Sequence, residues 1–360
     1  MNCIAAVVAG LSLAFVGASA TIADTINVPG DHALIQDAID ASANGDVINI
    51  AAGTYNEANL TPGGKAIIIQ GTLNADGSLA TTIDAQQSGS VFMIGYNEGN
   101  GTVIKDLIIT GGMGTGEDIT YGGGINIDFS NPTISGCTIT GNSADEGGGF
   151  YSDGGSNPII SNCTISDNTA TYMGGGIFFG GGNPTINDST VTGNTATLNE
   201  GGGINCDQSN TTINGCTITS NTSDQGGGIY CVNSNTTISG CGICSNTPDQ
   251  IFGSYNDDGT NTVETECLGI CCVDGHCLTT DQGATESDCL KYFGQWFDGF
   301  CDSCTPNLAG DLDDDGDVDT EDLLLMHAVT DTCYHDVNHN GITDIDDLLD
   351  VIEGWGTTCP

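Results

Sequence analysis

The 360-residue sequence has no arginine and only three lysines, Lys65, Lys105 and Lys291, against 47 acidic residues. Its formal net charge of −44 repels phosphate backbones and anionic membrane surfaces, which argues against nucleic-acid binding. The same balance favours divalent cations and solubility. Aromatic residues make up 6% of the chain, and no second apolar run follows the first 20 residues, so no membrane span is expected after them. Proline numbers 8 against 55 glycines, so turns must be made by glycine, asparagine and aspartate.

What is present is one motif written five times. A Gly-Gly-Gly triplet followed by an apolar residue begins at Gly122, Gly147, Gly174, Gly201 and Gly226. Each is followed by a segment of the type Asn131-Pro-Thr-Ile-Ser-Gly-Cys-Thr-Ile-Thr-Gly-Asn142. The closing asparagines, Asn142, Asn168, Asn194, Asn221 and Asn246, are 26, 26, 27 and 25 residues apart. A period in the twenties signals a solenoid. The repeat has almost no leucine, which argues against a leucine-rich horseshoe. Short Thr, Ile and Val pairs between Gly and Asn suit brief strands and tight turns. One repeat is then one coil, roughly 4.8 Å from the next.

Stacking predicts columns. Ile134, Ile160, Ile186, Ile213 and Ile238 should line the interior. Cys137, Cys163, Ser189, Cys216 and Cys241 form a second column and the closing asparagines a third, whose amides can bond to one another. Cys206 and Cys231 make a further pair. Free thiols act as small buried hydrophobes, and Ser189 in that column favours unbridged stacking over disulfides. The glycine triplets are expected to turn with positive φ.

These repeats resemble those of secreted right-handed parallel β-helix proteins with a pectin-lyase-like fold, and the glycine-rich repeats of polymorphic outer-membrane proteins. The resemblance covers about two thirds of the chain. It implies an all-β, right-handed parallel β-helix over 21–265, of about eight or nine coils and roughly 40 Å long. Leu34, Ile35, Ala38, Ile39 and Ser42 share helical spacing, ended by Asn44-Gly45. Under the resemblance this becomes an N-terminal capping helix. Val47 to Ile50 reads as the first strand and Ala52 to Tyr55 as a turn, with further strands in 66–70, 90–94 and 102–110.

Residues 1–20 read as a signal peptide, with an apolar run from Ile4 to Val16 and a small-residue site at Ala18-Ser19-Ala20, although the basic n-region is missing. Export to a secreted or cell-surface location follows. In 266–304, Cys267, Cys271, Cys272, Cys277, Cys289, Cys301 and Cys304 crowd together. An exported chain favours a disulfide-stapled module there over a zinc site. Cys244 is a candidate partner for Cys267.

The segment 305–360 carries the clearest chemistry. Asp311, Asp313, Asp315, Asp317, Asp319 and Asp322 occupy positions one, three, five, seven, nine and twelve of an EF-hand-type loop, with Gly316 at six. A second loop starts 25 residues later with Asp336, Asn338, Asn340, Ile342, Asp344 and Asp347, with Gly341 at six. Position seven binds through its carbonyl, so Ile342 serves. Eight carboxylates between Asp311 and Asp322 repel one another without a cation, and calcium turns that repulsion into folding energy. Each loop precedes a helix and lacks one before it, as in a type I dockerin. This resemblance implies a cohesin-like partner. Positions ten and eleven, which select that partner in dockerins, hold Thr320-Glu321 and Ile345-Asp346, and these pairs differ from each other.

Lyases of the resembled fold often use an arginine base, which is absent here, and the Gly-His-Gly of polygalacturonases is also missing. Lys65 and Lys105 are the only basic residues in the rod. Asp128, Asp153 and Asp207 recur at similar repeat positions and could line a face, whereas Asp257-Asp258 reads as a solvated loop. Two functions stay open. One is a calcium-binding structural, adhesive or glycan-binding rod that meets a polysaccharide or cell-surface ligand. The other is a carbohydrate-active enzyme, either a polysaccharide lyase or a glycoside hydrolase, or a subunit of a polysaccharide-degrading complex.

Overall fold

The computed structural model describes residues 23–265 and three short strands beyond them, Ile270–Val273, His276–Thr279 and Gln295–Phe297. Residues 23–265 form an all-β solenoid of parallel strands, about nine turns long, with almost no helix. Each turn contributes one strand to each of two long sheets. The first sheet stacks ten strands in chain order, from Thr25–Val28 and Val47–Ile50 to Thr237–Ser239 and Asn256–Asp257. Ten strands about 4.8 Å apart extend roughly 43 Å. The second sheet has nine strands, from Gly53–Tyr55 to Thr262–Glu264. A third sheet has seven, from Phe92–Ile94 to Ile251–Gly253. A small sheet of Ser143–Glu146, Thr169–Met173 and Thr195–Ala196 lies between the second and third in the chain path.

The expected aliphatic column is present in register. Ile134 pairs with Ile160, Ile160 with Ile186, Ile186 with Ile213 and Ile213 with Ile238, and all five are fully buried. The second sheet repeats the arrangement with Ile139, Ile165, Val191, Ile218 and Ile243. Three-residue strands suffice because only the central side chain of each points inward, while its polar neighbours stay half-exposed.

One corner shows what forces the turn residues. The 102–110 segment is two strands, Val103–Lys105 and Ile108–Thr110, broken at Asp106. Asp106 has φ 58°, and Asn162 and Asp188 occupy the same corner in later coils with φ 51° and 46°. The left-handed region tolerates Gly, Asn and Asp, and this accounts for the alternation of those residues before the Cys column.

Within the glycine triplets only the first residue adopts positive φ, for example 64° at Gly147. The third is excluded from having a side chain for another reason. A Cβ on Gly149 would stand 2.8 Å from Asn168 Nδ2 and from Gly176 O of the following coil. The triplet is therefore one turn residue followed by two close-contact residues.

The asparagine column is a continuous ladder. The Nδ2 groups of Asn142, Asn168, Asn194 and Asn221 donate to Oδ1 of the asparagine one coil on, at 3.1, 3.0, 3.0 and 2.9 Å. The same oxygens accept the backbone N–H of the preceding asparagine, as from Asn168 N to Asn194 Oδ1 at 3.0 Å. The Cys column behaves similarly, with Ser189 Oγ accepting from Cys163 N at 3.1 Å and Cys241 Sγ from Cys216 N at 3.3 Å. Cys137, Cys163, Cys216, Cys241, Cys206 and Cys231 are free and buried, as unbridged stacking requires. Cys244 is not among these free thiols, and its expected partner Cys267 lies outside the described residues.

At the N-terminal end a helix spans Ile35–Ala41, with Ile35, Ala38 and Ile39 buried. Leu34, expected on its apolar side, is 50% exposed because it is the extended residue before the first turn. Glu57 accepts the otherwise unpaired N–H groups of Ile35 and Gln36 at 2.7 and 3.1 Å. Two further expectations change. Thr25–Val28 precedes Val47–Ile50 as the first strand, and Gly53–Tyr55 is a strand paired with Thr81–Ile83 rather than a turn. Among the described residues no helix is long and apolar enough to cross a membrane. In 266–304, Ile270–Val273 pairs antiparallel with both His276–Thr279 and Gln295–Phe297. The disulfides expected there, the expected signal peptide and the whole of 305–360 lie outside the described residues.

Replacing Asn194 with alanine strands donors on Asn168 and the carbonyl of Ile165, all buried. Unfolding in urea should show a loss of about 3 kcal/mol, whereas Asn183→Ala on the exposed asparagine column should cost under about 1 kcal/mol.

Candidate functional site

The first glycine of each triplet also fixes a second, outer column. Four residues after it stand Asn126, Tyr151, Phe178, Asn205 and Tyr230, paired in register across the third sheet. Tyr230 pairs in turn with Phe252. The glycine and this residue touch, since a Cβ on Gly147 would come within 2.8 Å of Tyr151 Cβ, and one on Gly174 equally close to Phe178 Cβ. The backbone thus folds down onto the base of each outer side chain and leaves its tip to stack.

The rings do stack. Tyr151 and Phe178 lie 5.1 Å apart and nearly parallel at 8°, and Tyr121 leans on Tyr151 at 4.8 Å and 48°. Two coils further, Tyr230 and Phe252 are 5.3 Å apart at 2°. Asn205 interrupts the two stacks. Its Nδ2 donates to Glu200 O at 3.3 Å, while its fully buried Oδ1 has no hydrogen-bond partner.

Carboxylates border this column on both sides. Glu146 ends a strand of the small sheet, and Glu200 reaches an equivalent place two coils on, bridged to Gln225. On the other side Asp128 and Asp153 are direct register partners. The next coil has Gly180 at that rank and the one after it Asp207, as the neighbouring pairs Ser152–Phe179 and Phe179–Cys206 require. The three repeating aspartates expected to line a face therefore share one edge of the third sheet.

The electrostatics follow first from burial and then from neighbouring like charges. Burial, then Asp153, Asp145 and Asp207, push the Glu146 carboxyl above the ordinary glutamate range. Burial and Asp153 raise Asp128 likewise. Tyr151 is held strongly neutral by burial and by Asp153 and Glu146, and its hydroxyl donates to Asp153 Oδ2 at 3.3 Å. Asp145 differs. Thr120 N–H donates to it at 2.9 Å and holds it below the usual range.

Neither rod lysine serves this face. Lys65 Nζ donates to Ile39 O and Asp40 O at 2.6 and 2.9 Å, closing the helix C-terminus, and Lys105 pairs with Asp106 at 3.0 Å. Asp257 and Asp258 are exposed as expected, but Asp257 ends the strand Asn256–Asp257 and only Asp258 lies in the loop, where hydrogen bonds from Ser239 and Thr260 lower its pKa. Among the described residues no group of three or more His, Cys, Asp or Glu side chains is placed to hold a metal ion. The calcium-ligand candidates from Asp311 to Asp347 lie outside the described residues. The aromatic column was not anticipated from the sequence, although counting four residues from each first glycine finds Tyr151, Phe178 and Tyr230 directly.

Residues 90–268 match the family described as right handed beta helix region. Among solved structures, the chain is similar to the pectin methylesterase from Aspergillus niger in deglycosylated form, at 13% identity over 76% of this chain and 97% of that one, with a TM-score of 0.42. It is similar to the pectin methylesterase PemA from Erwinia chrysanthemi at 12% identity, over 78% and 98%, with a TM-score of 0.38. A mannuronic acid specific polysaccharide family 6 lyase from human gut microbiota matches at 12% identity, over 62% and 61%, with a TM-score of 0.34. A comparison with curated proteins finds no match. With its stacked parallel strands, the family match makes the solenoid of residues 23–265 a right-handed parallel β-helix.

Proposed function

We propose that this chain is an exported or cell-surface rod with a structural, adhesive role, and that it binds glycan along the acid–aromatic strip of its third sheet. The observation that carries this reading is the row of carboxylates Glu146, Asp153 and Asp207 along the third sheet, beside the more open rings of Tyr121, Tyr230 and Phe252; Tyr151 and Phe178 are buried within the stack. Carboxylates accept hydrogen bonds from sugar hydroxyls, and the open edges of the outer rings add apolar contact. A strip repeated over successive coils suits a polymer better than a small molecule. The C-terminal loops, with Asp311 and Asp336 at their first positions, bind calcium and attach the rod to a cohesin-like or other surface partner.

A second reading has one specific observation behind it. Glu146 is a half-buried carboxyl of raised pKa near Asp153, which is the pairing of acid and carboxylate that glycoside hydrolysis uses. Lyase chemistry has less support, because Lys65 and Lys105 are engaged elsewhere and arginine is absent.

Three measurements separate these readings. Incubation of the full chain with neutral glycans, pectins and alginates in calcium should give retention on a glycan without new reducing or unsaturated ends. Appearance of such ends would establish the enzyme instead. Calorimetric titration of the full chain with calcium should show two sites, and Asp336→Ala should remove one. The pH dependence of stability tests the strip itself. A glutamate whose pKa rises on folding binds more protons in the native state, so its contribution falls as pH rises between the unfolded and folded values. Glu146→Gln should therefore raise the melting temperature at neutral pH, with the gain fading below the ordinary glutamate pKa.

A further inference from the structure

We propose that Tyr96 and Phe129 form a stacking platform for a neutral glycan at the edge of the third sheet. The inference rests on the glycan-binding reading above and specifies where a sugar ring sits and which sugars are taken. Tyr96 and Phe129 are the two most exposed large hydrophobic side chains among the described residues, at 66% and 62%. They belong to adjacent coils, each two residues past the register pair Ile94–Ile127, and so stand one coil, about 4.8 Å, apart. Unlike Tyr151 and Phe178, neither ring packs on another aromatic ring among the described residues.

The backbone at Phe129 is strained. Its φ is 49°, in the left-handed region, where a Cβ crowds the following carbonyl. Later coils place Gly154, Gln208 and Asn233 at this corner, with φ 66°, 52° and 55°. Among the described non-glycine residues with positive φ, Phe129 alone is apolar. A bulky ring held in that conformation and turned to solvent adds no core packing, and strain of this kind persists at ligand-binding sites. The platform is also fixed in place. Glu98, 1% exposed, accepts from Tyr96 N at 2.7 Å, Gly64 N at 2.9 Å and Ser130 Oγ at 2.8 Å, which ties the Tyr96 loop to the coil on either side.

The surroundings select the occupant. Two rings cover far less than the roughly 1,200 Å² that a stable protein interface buries, which argues against a protein partner. The groups around the rings are short or polar. A Cβ on Gly154 would run into Asp128 Oδ1 and stand 3.0 Å from Phe129 Cδ1, so carboxylate and ring meet over one glycine, while a Cβ on Gly155 would touch nothing. Asp128 itself is exposed. An apolar face bordered by an open hydrogen-bond acceptor matches a pyranose, whose C–H face stacks on a ring while its edge hydroxyls donate. Charge narrows the class. Asp128 and Asp153 are register partners beside the platform, and both rod lysines are engaged elsewhere. A uronic acid polymer would meet like charge here, and a neutral glycan would not.

The test is calorimetry of the full chain at physiological salt with four probes: cellohexaose, xylohexaose, mannohexaose and a galacturonic acid hexamer. At least one neutral hexamer should bind, about tenfold or more tightly than the galacturonate. Phe129→Asn, the residue type that Asn233 places at this corner, should weaken that binding about tenfold while raising the melting temperature, because the strain leaves with the ring. Tyr96→Ala should weaken it about as much. Leu73→Ala, at a 45% exposed position on the loop between Ile68–Gln70 and Thr81–Asp84, should change it less than about twofold. A fall in the melting temperature of Phe129→Asn would make the ring structural and overturn the assignment. Unchanged binding in both ring variants overturns the platform while glycan binding stands. Tighter binding of the galacturonate than of every neutral hexamer overturns the neutral class alone. Failure of all four probes to bind overturns the glycan-binding reading together with this one.

Discussion

A buried asparagine amide that must bond to the coils above and below it sets the rules for this rod. Asn168 shows the requirement in full. Its Nδ2 donates back to Ile139 O and forward to Asn194 Oδ1, while its own Oδ1 accepts two N–H groups from Asn142. One side chain therefore ties three consecutive turns, and a buried polar corner becomes fully satisfied. The ladder is one-directional, so each end needs a different closure. At one end Gly112 N donates to Asn142 Oδ1 at 2.9 Å. At the other Gln250, longer by one methylene, reaches back to accept Asn246 N and Nδ2 at 3.0 and 2.9 Å and returns its own Nε2 to Asn246 O. The run of near-identical coils stops where the amide chain is closed.

That constraint divides each coil into a fixed arc and a free one. Eleven positions separate Asn131 from Asn142, Asn157 from Asn168, Asn183 from Asn194, Asn210 from Asn221 and Asn235 from Asn246. This arc carries the first two sheets and is bounded by two asparagine columns, one buried and one exposed. The exposed column runs in the opposite sense, with Asn157 Nδ2 donating back to Asn131 Oδ1 at 2.8 Å. All variation in repeat length falls in the remaining arc, mostly between the buried asparagine and the triplet. That stretch grows from five steps between Asn142 and Gly147 to seven between Asn194 and Gly201. Glu146 and Glu200 sit at its end. The residues free to vary in number are those that border the acid–aromatic strip.

The fixed arc was legible in the sequence because its spacing is invariant and its columns repeat one residue type. The isoleucine, cysteine and asparagine columns all follow from alignment of the five copies. The irregular first turns were less legible. Gly53–Tyr55 reads locally as a turn, and only pairing with Thr81–Ile83, one irregular coil further on, makes it a strand. The strip was hidden for a different reason. Its outer column alternates Asn126, Tyr151, Phe178, Asn205 and Tyr230, so no single residue type announces it. The shared aspartates at Asp128, Asp153 and Asp207 were visible, but their effect on Glu146 was not, since that residue lies on another strand and the separation is set by the fold.

Like charges placed directly opposite in a parallel sheet oppose the pairing of their strands. Asp128 and Asp153 are so placed, and Glu146 adds a half-buried carboxyl beside them. A coil held only by its own packing would relax by sliding register. Here the sliding coordinate is blocked, because a shift of one residue would remove Asn142 from Asn168 and turn Ile134 and Ile139 outward. The repulsion is therefore retained as a standing field over the third sheet. The amide ladder and the acidic face are thus mechanically linked: the first supplies the register that keeps the second from dispersing. Such a face is already ordered in the free protein, so a ligand of the class proposed above would meet it without a further ordering cost.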